Sequence, residues 1–211
     1  MNERDLSEWR ARLLNARAEG HAWSWKDASF LAGIRDALRS VDPHRDGEDL
    51  LYLSESVAEE LGAAYEEADR MAYAAEFYSL AVRLMAEQAR RFGDGSGQMA
   101  PILVKAVRAR NYYSDDDCGD LRSCAAVCLG DAADDVMDYA LSERRVLIHD
   151  PVESTAAYLN VIDVVEEKLE SAFGGRTGSP GERWTVKKGI LDENGIRWRS
   201  PADCNPSIRF C

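Results

Sequence analysis

Long apolar runs and an excess of positive charge are both missing from this chain of 211 residues. No stretch approaches the roughly 18 consecutive apolar residues that a membrane-spanning helix needs. Acids and arginines occupy the amino-terminal stretch Met1–Leu14, where a signal peptide would have its apolar core. The 26 Lys and Arg are outnumbered by 38 Asp and Glu, and the net charge of −12 opposes binding to phosphate backbones and anionic membranes. We therefore expect a cytoplasmic protein that binds neither nucleic acid nor membrane.

Sequence motifs of catalysis are also missing. The chain has no Gly-x-Ser-x-Gly nucleophile turn, no glycine-rich phosphate loop followed by lysine and no dinucleotide-binding fingerprint. Its five cysteines are an odd number in a chain without an export signal, which favours reduced thiols over a disulfide framework. We accordingly expect a protein that is not an enzyme and that needs no cofactor.

Residues that typically start and end helices occur along most of the chain. Apolar residues recur at spacings of three and four, and Ser24 with Asp27 has the spacing of a capping box. The apolar stripe from Leu121 to Ala140 predicts one long helix. Asp150, which is followed directly by proline, predicts the start of another helix that ends near Phe173.

Together these signals predict an all-α protein, built as an array of antiparallel helix pairs with a short carboxyl-terminal appendage. Residues 1–173 form the predicted helical domain. Residues 174–181 are rich in glycine and serine and have the composition of a linker. Residues 182–211 form the predicted appendage, which we expect to pack on the helical body.

The local structure of the appendage has two interpretations. Asn194 and Gly195 are a strong signal for a hairpin turn between residues 184–191 and 196–199. Alternatively, Ser179 with Glu182 forms a capping box, and Gly195 ends the helix that begins there. The start and stop signals agree on the length of a helix, so we favour the helix. From Arg197 onward we expect an extended, irregular tail.

Residues 55–88 carry small and aromatic residues in a recognisable order, namely Leu61, Gly62, Tyr65, Ala74, Tyr78 and Ala81. This spacing resembles one tetratricopeptide repeat, although Ala58 and Ala86 stand where that family often has Trp and Pro. The resemblance covers about a sixth of the chain. It implies two antiparallel helices in close contact and a module that binds peptides or proteins.

Acidic residues on the same predicted helices allow an enzymatic alternative. Some all-α nucleotide pyrophosphohydrolases hold Mg²⁺ with paired glutamate motifs, and Glu66 with Asp69 has the spacing of half such a motif. In this alternative the protein is a metal-dependent nucleotide phosphohydrolase, with Glu59, Glu66 and Asp69 as metal ligands. The second half of the motif is missing from the sequence, so we prefer a solvated helix face without a metal.

Protein recognition is the preferred function. An acidic helical protein without a catalytic site could neutralise a basic partner, as immunity proteins and inhibitors do. Alternatively, it could act as an adaptor. The basic and aromatic carboxyl-terminal segment allows partner binding or, alternatively, a structural role in which its tryptophans are buried. The candidate partner-binding residues are Tyr112, Tyr113, Asp115, Asp116, Asp117, Trp198 and Arg199.

Overall fold

The protein is described by a computed structural model that covers residues 3–93, 98–113, 115–142, 147–174 and 176–210. Within these ranges all regular secondary structure is helical, which confirms the predicted all-α class. No described helix is both long enough and apolar enough to cross a membrane. The α-helices are α1 (Glu3–Ala18), α2 (Ala28–Leu38), α3 (Glu48–Glu67), α4 (Met71–Phe92), α5 (Met99–Arg110), α6 (Gly119–Leu129), α7 (Ala132–Ser142), α8 (Ala156–Phe173), α9 (Pro180–Glu193) and α10 (Pro201–Cys204).

The chain divides into two compact units. Unit 1 comprises Met1–Asn111 and Asp115–Arg144, and unit 2 comprises Tyr112–Ser114 and Arg145–Cys211. The division therefore lies before α8, whereas the sequence placed it at residues 174–181, after that helix.

The core of unit 2 explains this difference. The stripe of α8 that the sequence assigned to the main helical domain is buried against residues of α9 and of the segment that follows α9. Because neither part can bury its apolar residues without the other, α8 belongs with the carboxyl-terminal segment. The buried core residues of this unit are Tyr158, Ile162, Val165, Leu169, Leu191, Ile196 and Trp198.

Unit 1 is organised around α4. This helix packs against α3, α5 and α6, while α1 packs against α3 and α5 packs against α7. Twelve residues of α4 are buried, among them Phe77 and Tyr78, as expected for a helix with neighbours on several sides.

The contact between α3 and α4 is close because of a glycine. The residues that carry the tetratricopeptide resemblance, including Leu61 and Ala74, are buried here. A Cβ atom on Gly62 would lie 2.8 Å from Cδ1 and 2.9 Å from Cε1 of Tyr78, so only glycine leaves room for this ring. The Tyr78 hydroxyl donates a hydrogen bond of 2.7 Å to Glu66 Oε2.

A glycine also divides the helix that the sequence predicted over Leu121–Ala140. Gly130 has a φ of 54° and a ψ of −129°, which residues with a side chain rarely adopt, and the chain turns there between α6 and α7. The prediction of one long helix is wrong because apolar spacing continues on both sides of the turn. One consequence is that Tyr139, assigned to the apolar stripe, is 54% exposed.

The capping boxes predicted for Ser24 with Asp27 and for Ser179 with Glu182 are present. The Asp27 carboxylate accepts from the backbone N–H of Ser24 at 3.0 Å and starts a 3₁₀ turn that leads into α2. In α9, Ser179 and Glu182 cap each other's backbone N–H groups. The helical interpretation of the carboxyl-terminal segment is therefore confirmed over the hairpin, with Gly195 at a φ of 75° after the helix end.

Two other boundaries differ from expectation. Asp150 caps only the 3₁₀ turn Pro151–Ser154, and α8 begins after Thr155, whose hydroxyl accepts from the N–H of Tyr158. The tail after Arg197, predicted to be irregular, contains the short helix α10. Its capping box was not recognised in the sequence because it supports only one turn of helix.

Candidate functional site

Negative charge is concentrated in unit 1. This unit contains 28 Asp and Glu against 17 Lys and Arg, whereas unit 2 contains 10 against 9. A basic partner is attracted by the field of the whole surface, and here that field arises almost entirely from unit 1. A contact surface for a basic partner is therefore expected on unit 1.

An open and largely apolar groove lies between α5 and α7 on unit 1. Its volume is about 570 Å³. Val104 and Val136 are half-buried in it, and the Tyr139 ring is 54% exposed at its edge. Large exposed aromatic residues beside apolar depressions are typical of protein contact surfaces. The lining residues are Ala100, Pro101, Val104, Lys105, Arg108, Asp135, Val136 and Tyr139.

The two walls of this groove differ in charge. The α5 wall presents Lys105 and Arg108, and the Lys105 ammonium lies 3.2 Å from Glu59 Oε1 on α3, which offsets its charge. The α7 wall presents Asp135, and the exposed Asp131 directly precedes this helix.

Two more acids of α7 are already paired. Asp134 and Asp138 both accept hydrogen bonds from the Arg122 guanidinium of α6. This bridge holds the two helices of the hairpin together and leaves Asp135 on the groove side of α7.

Sequence reasoning did not find this groove. Its residues belong to two helices that are distant in sequence, and Val136 and Tyr139 fall within the apolar stripe that predicts one continuous helix. Gly130 was the sequence signal that could have indicated the groove. A helix break at this glycine allows a different face of residues 132–142 to be buried.

The acids of the enzymatic alternative do not converge. Glu59 is paired with Lys105, Glu66 accepts from Tyr78, and Asp69 lies in the turn between α3 and α4 with a φ of 56°. Among the described residues, no three His, Cys, Asp or Glu side chains form a group that could hold a metal ion. The geometry therefore gives the phosphohydrolase alternative no support.

The carboxyl group of Glu55 on α3 has a raised pKa. Burial, followed by the negative charge of Glu59, raises the pKa of Glu55 to about 7. Arg10 opposes this rise. Near neutral pH the Glu55 carboxyl group is therefore partly protonated, and its ionisation destabilises the folded protein.

We expect Glu55→Gln to raise stability at pH 8 and to leave it almost unchanged at pH 4. The folded pKa lies above the unfolded value, so the wild type loses stability as the pH rises from about 4.5 to about 7, and the amide avoids this loss. Because the side chain is partly exposed, we expect a gain of about 1 kcal/mol in the free energy of unfolding. Urea denaturation at both pH values measures it.

Glu60→Gln on the same helix is the control. It removes the partner of Arg17, which lies 3.1 Å from Glu60, and we expect no gain at either pH. An equal effect of Glu55→Gln at pH 4 and pH 8 would contradict the assigned ionisation.

The predicted acidic contact residues mainly stabilise a turn. Asp116 accepts from the Arg110 guanidinium at 2.6 Å and from the backbone N–H of Cys118 at 2.9 Å. Asp117 accepts from the N–H of Gly119 at the start of α6, and Asp115 is exposed. Asp116 and Asp117 thus have structural contacts of their own.

The predicted aromatic pair lies in unit 2. Tyr112 stacks on His149 with 4.1 Å between ring centroids, and Tyr113 meets Tyr112 edge to face at 5.0 Å. Both tyrosines are half-buried. His149 Nδ1 also lies 3.9 Å from Glu153 Oε2. The pair is therefore part of the packing around His149.

Trp198 is a core residue and not a surface residue. It is 3% exposed, and its indole N–H donates a hydrogen bond of 2.6 Å to Glu153 Oε1. The backbone N–H of Arg199 donates to Asp150 Oδ2 at 2.7 Å, and the Arg199 side chain is exposed. Burial removes Trp198 from the predicted partner-binding residues, and the structural interpretation of this tryptophan is the correct one.

Lys187 of α9 is enclosed next to Trp198. Its ammonium lies 5.3 Å from the centroid of the Trp198 ring and 5.6 Å from that of Tyr158. Glu166 Oε1 is 3.3 Å away and supplies the opposite charge. The cation therefore joins α8 to α9 from within unit 2.

The cysteines of the described residues are free thiols. Cys118 is buried, and burial raises its pKa to about 11, so this thiol is poorly reactive. Burial also raises the pKa values of Cys124 and Cys128, which lie one helical turn apart on α6. These thiols behave as small apolar side chains.

A second depression, of about 320 Å³, lies between α1 and α2. His21 Nε2 is 3.1 Å from Asp27 Oδ1, and the Arg12 guanidinium covers the Phe30 ring at 4.0 Å. Asp27 Oδ2 also accepts a hydrogen bond of 3.0 Å from the backbone N–H of Ser24. Its polar groups are thus engaged with one another, and the groove between α5 and α7 is the better candidate.

Comparison with known proteins finds no matching family model, no matching curated protein and no matching solved structure. The functional argument therefore rests on the geometry and charge of the molecule itself.

Proposed function

We propose that this protein is an acidic helical interaction module, in which unit 1 binds a basic partner protein. The observation that carries the proposal is the charge difference between the units, 28 acidic against 17 basic residues in unit 1 and 10 against 9 in unit 2. Opposite charge accelerates the encounter of two proteins and suppresses binding to acidic competitors. A toxin or enzyme with a basic active surface, neutralised by this unit, fits the same charge pattern.

The resemblance of α3 and α4 to a tetratricopeptide repeat supports the same proposal. Repeats of this kind pair helices to build binding surfaces, and Gly62 against Tyr78 gives the close pairing that such a surface requires. The cytosol is the compartment in which we place the protein, in keeping with the free thiols of the described cysteines.

The test uses the full chain and two unstructured peptides, one rich in lysine and one rich in glutamate. We expect only the lysine peptide to bind, and we expect its affinity to fall several-fold between about 50 and about 200 mM salt, because salt screens exposed charges. Fluorescence anisotropy of labelled peptides measures both affinities.

Two charge-matched double variants locate the contact. Asp131→Asn with Asp135→Asn removes two exposed acids from unit 1, and Glu167→Gln with Glu193→Gln removes two from unit 2. We expect the first pair to weaken binding of the lysine peptide and the second pair to leave it unchanged. Binding that is absent, or equally affected by both pairs, would overturn the proposal.

A further inference from the structure

The groove between α5 and α7 has the length and composition of a helix-binding surface. From Ala100 to Arg108 its α5 wall spans nine residues, or about 12 Å of helix. Partner helices dock into such grooves through apolar residues spaced three, four and seven apart, which repeat over a similar distance.

The apolar centre of the groove is available on the surface of unit 1. Tyr139 is 54% exposed, and Pro101, at the start of α5, is exposed as well. A half-exposed aromatic ring contributes strongly to the binding free energy when a partner covers it. Large residues of this type supply much of the binding free energy of protein interfaces.

The charges along the groove indicate the orientation of a partner. Asp135 and the nearby Asp131 make the α7 edge negative. The opposite edge carries Lys105, whose ammonium lies 3.2 Å from Glu59 Oε1, and the exposed Arg108, so the two edges differ in charge. A partner therefore gains from basic residues on the side that faces α7 and from apolar residues toward the groove.

We infer that this groove binds an amphipathic α-helix of the partner protein, with its apolar residues against Tyr139, Val136 and Val104 and its basic residues along the acidic edge of α7. This inference rests on the proposed function and assigns to it one surface and one form of ligand. An unstructured basic segment would satisfy the charge of unit 1 but would leave the apolar groove uncovered.

Three synthetic peptides of about 18 residues, roughly five helical turns, separate these cases. The first is a leucine and lysine peptide with helical amphipathic order, the second has the same composition in scrambled order, and the third replaces lysine with glutamate. We expect the full-length protein to bind the first peptide about tenfold more tightly than the second, and the third not at all. Calorimetry or anisotropy measures the affinities.

Variants of exposed residues identify the surface. Tyr139→Ser should weaken binding of the amphipathic lysine peptide about tenfold, and Asp135→Lys should weaken it by a similar factor. Val127→Ser is the matched control, because Val127 is 38% exposed on α6 and does not line the groove. We expect this variant to bind as the wild type does.

The outcomes distinguish the inference from the proposed function. Equal binding of ordered and scrambled lysine peptides, with no effect of Tyr139→Ser, would overturn the groove assignment and leave the acidic module intact. The absence of binding to any lysine peptide would overturn the proposed function itself. A dimer in light scattering that Tyr139→Ser dissociates would show a second copy of the chain in the groove and would also overturn the inference.

Discussion

The Trp198→Ala variant is expected to lose about 3–5 kcal/mol of unfolding free energy, the largest single effect we predict. The ring is 3% exposed within the core of unit 2, so its removal leaves a cavity among Tyr158, Ile162 and Leu191. It also leaves the Glu153 carboxylate without the indole donor at 2.6 Å. Chemical denaturation, followed by circular dichroism, measures the loss.

Two variants separate the contributions of Trp198. Trp198→Phe keeps an aromatic ring but removes the indole N–H, and we expect it to cost about 1–3 kcal/mol. Trp184→Ala is the control in the same unit, because this half-buried tryptophan contacts the edge of Phe210 at 5.1 Å and should cost less than Trp198→Ala. A Trp198→Ala variant as stable as Trp184→Ala would contradict the core assignment.

Replacing Gly62 with alanine is the second large effect. Alanine is the better helix former, but here its Cβ would lie 2.8 Å from the buried ring of Tyr78. The ring is 1% exposed and its hydroxyl is bonded to Glu66, so it has little freedom to move away. We expect a net loss of about 1–3 kcal/mol, measured by urea denaturation.

We expect Gly33→Ala, a glycine substitution in another α-helix, to raise stability instead of lowering it. Gly33 lies in α2, and a Cβ there would meet nothing within 4 Å, so this variant should gain about 0.5–1 kcal/mol. The loss caused by Gly62→Ala should also shrink in a Tyr78→Leu background, because the two substitutions share one contact. Similar effects of the two glycine substitutions would show that the approach of α3 to α4 is not limited by this glycine.

Local signals in the sequence predicted the class of the fold and several helix ends correctly. Ser24 with Asp27 and Ser179 with Glu182 each place a side-chain acceptor three residues from a backbone donor, and such a contact forms whatever surrounds it. The choice of helix over hairpin at Gly195 was correct for the same reason.

Features that depend on distant contacts were less well predicted. Apolar periodicity continues across Gly130, so only its backbone conformation shows that α6 and α7 are separate helices. Asp150 has every local property of a helix cap, yet the helix begins five residues later because the chain first makes a 3₁₀ turn. The division into two units depends on which helices share a core. The apolar periodicity of a single helix does not show which other helices it packs against.

The sequence predicted that the candidate site is acidic, but it did not predict where the site lies. The acidic character of the chain follows directly from its composition, but the residues chosen for contact were exposed only in part. Trp198 is buried and Asp116 holds Arg110, while the groove residues Val136 and Tyr139 belong to the apolar stripe that predicts one buried helix face. A sequence pattern does not show whether an apolar residue meets a neighbouring helix or remains at the surface.

The enclosure of Lys187 limits what chemistry this amine can undergo. Two aromatic rings and the Glu166 carboxylate surround a side chain that is only 15% exposed. An acetyltransferase or an acylating reagent must reach this nitrogen from solvent, and the side chain offers little access while α8 and α9 are packed. Acylation at this position would therefore follow the opening of unit 2 and would mark damaged molecules, whereas exposed lysines such as Lys188 remain open to regulation in the folded protein.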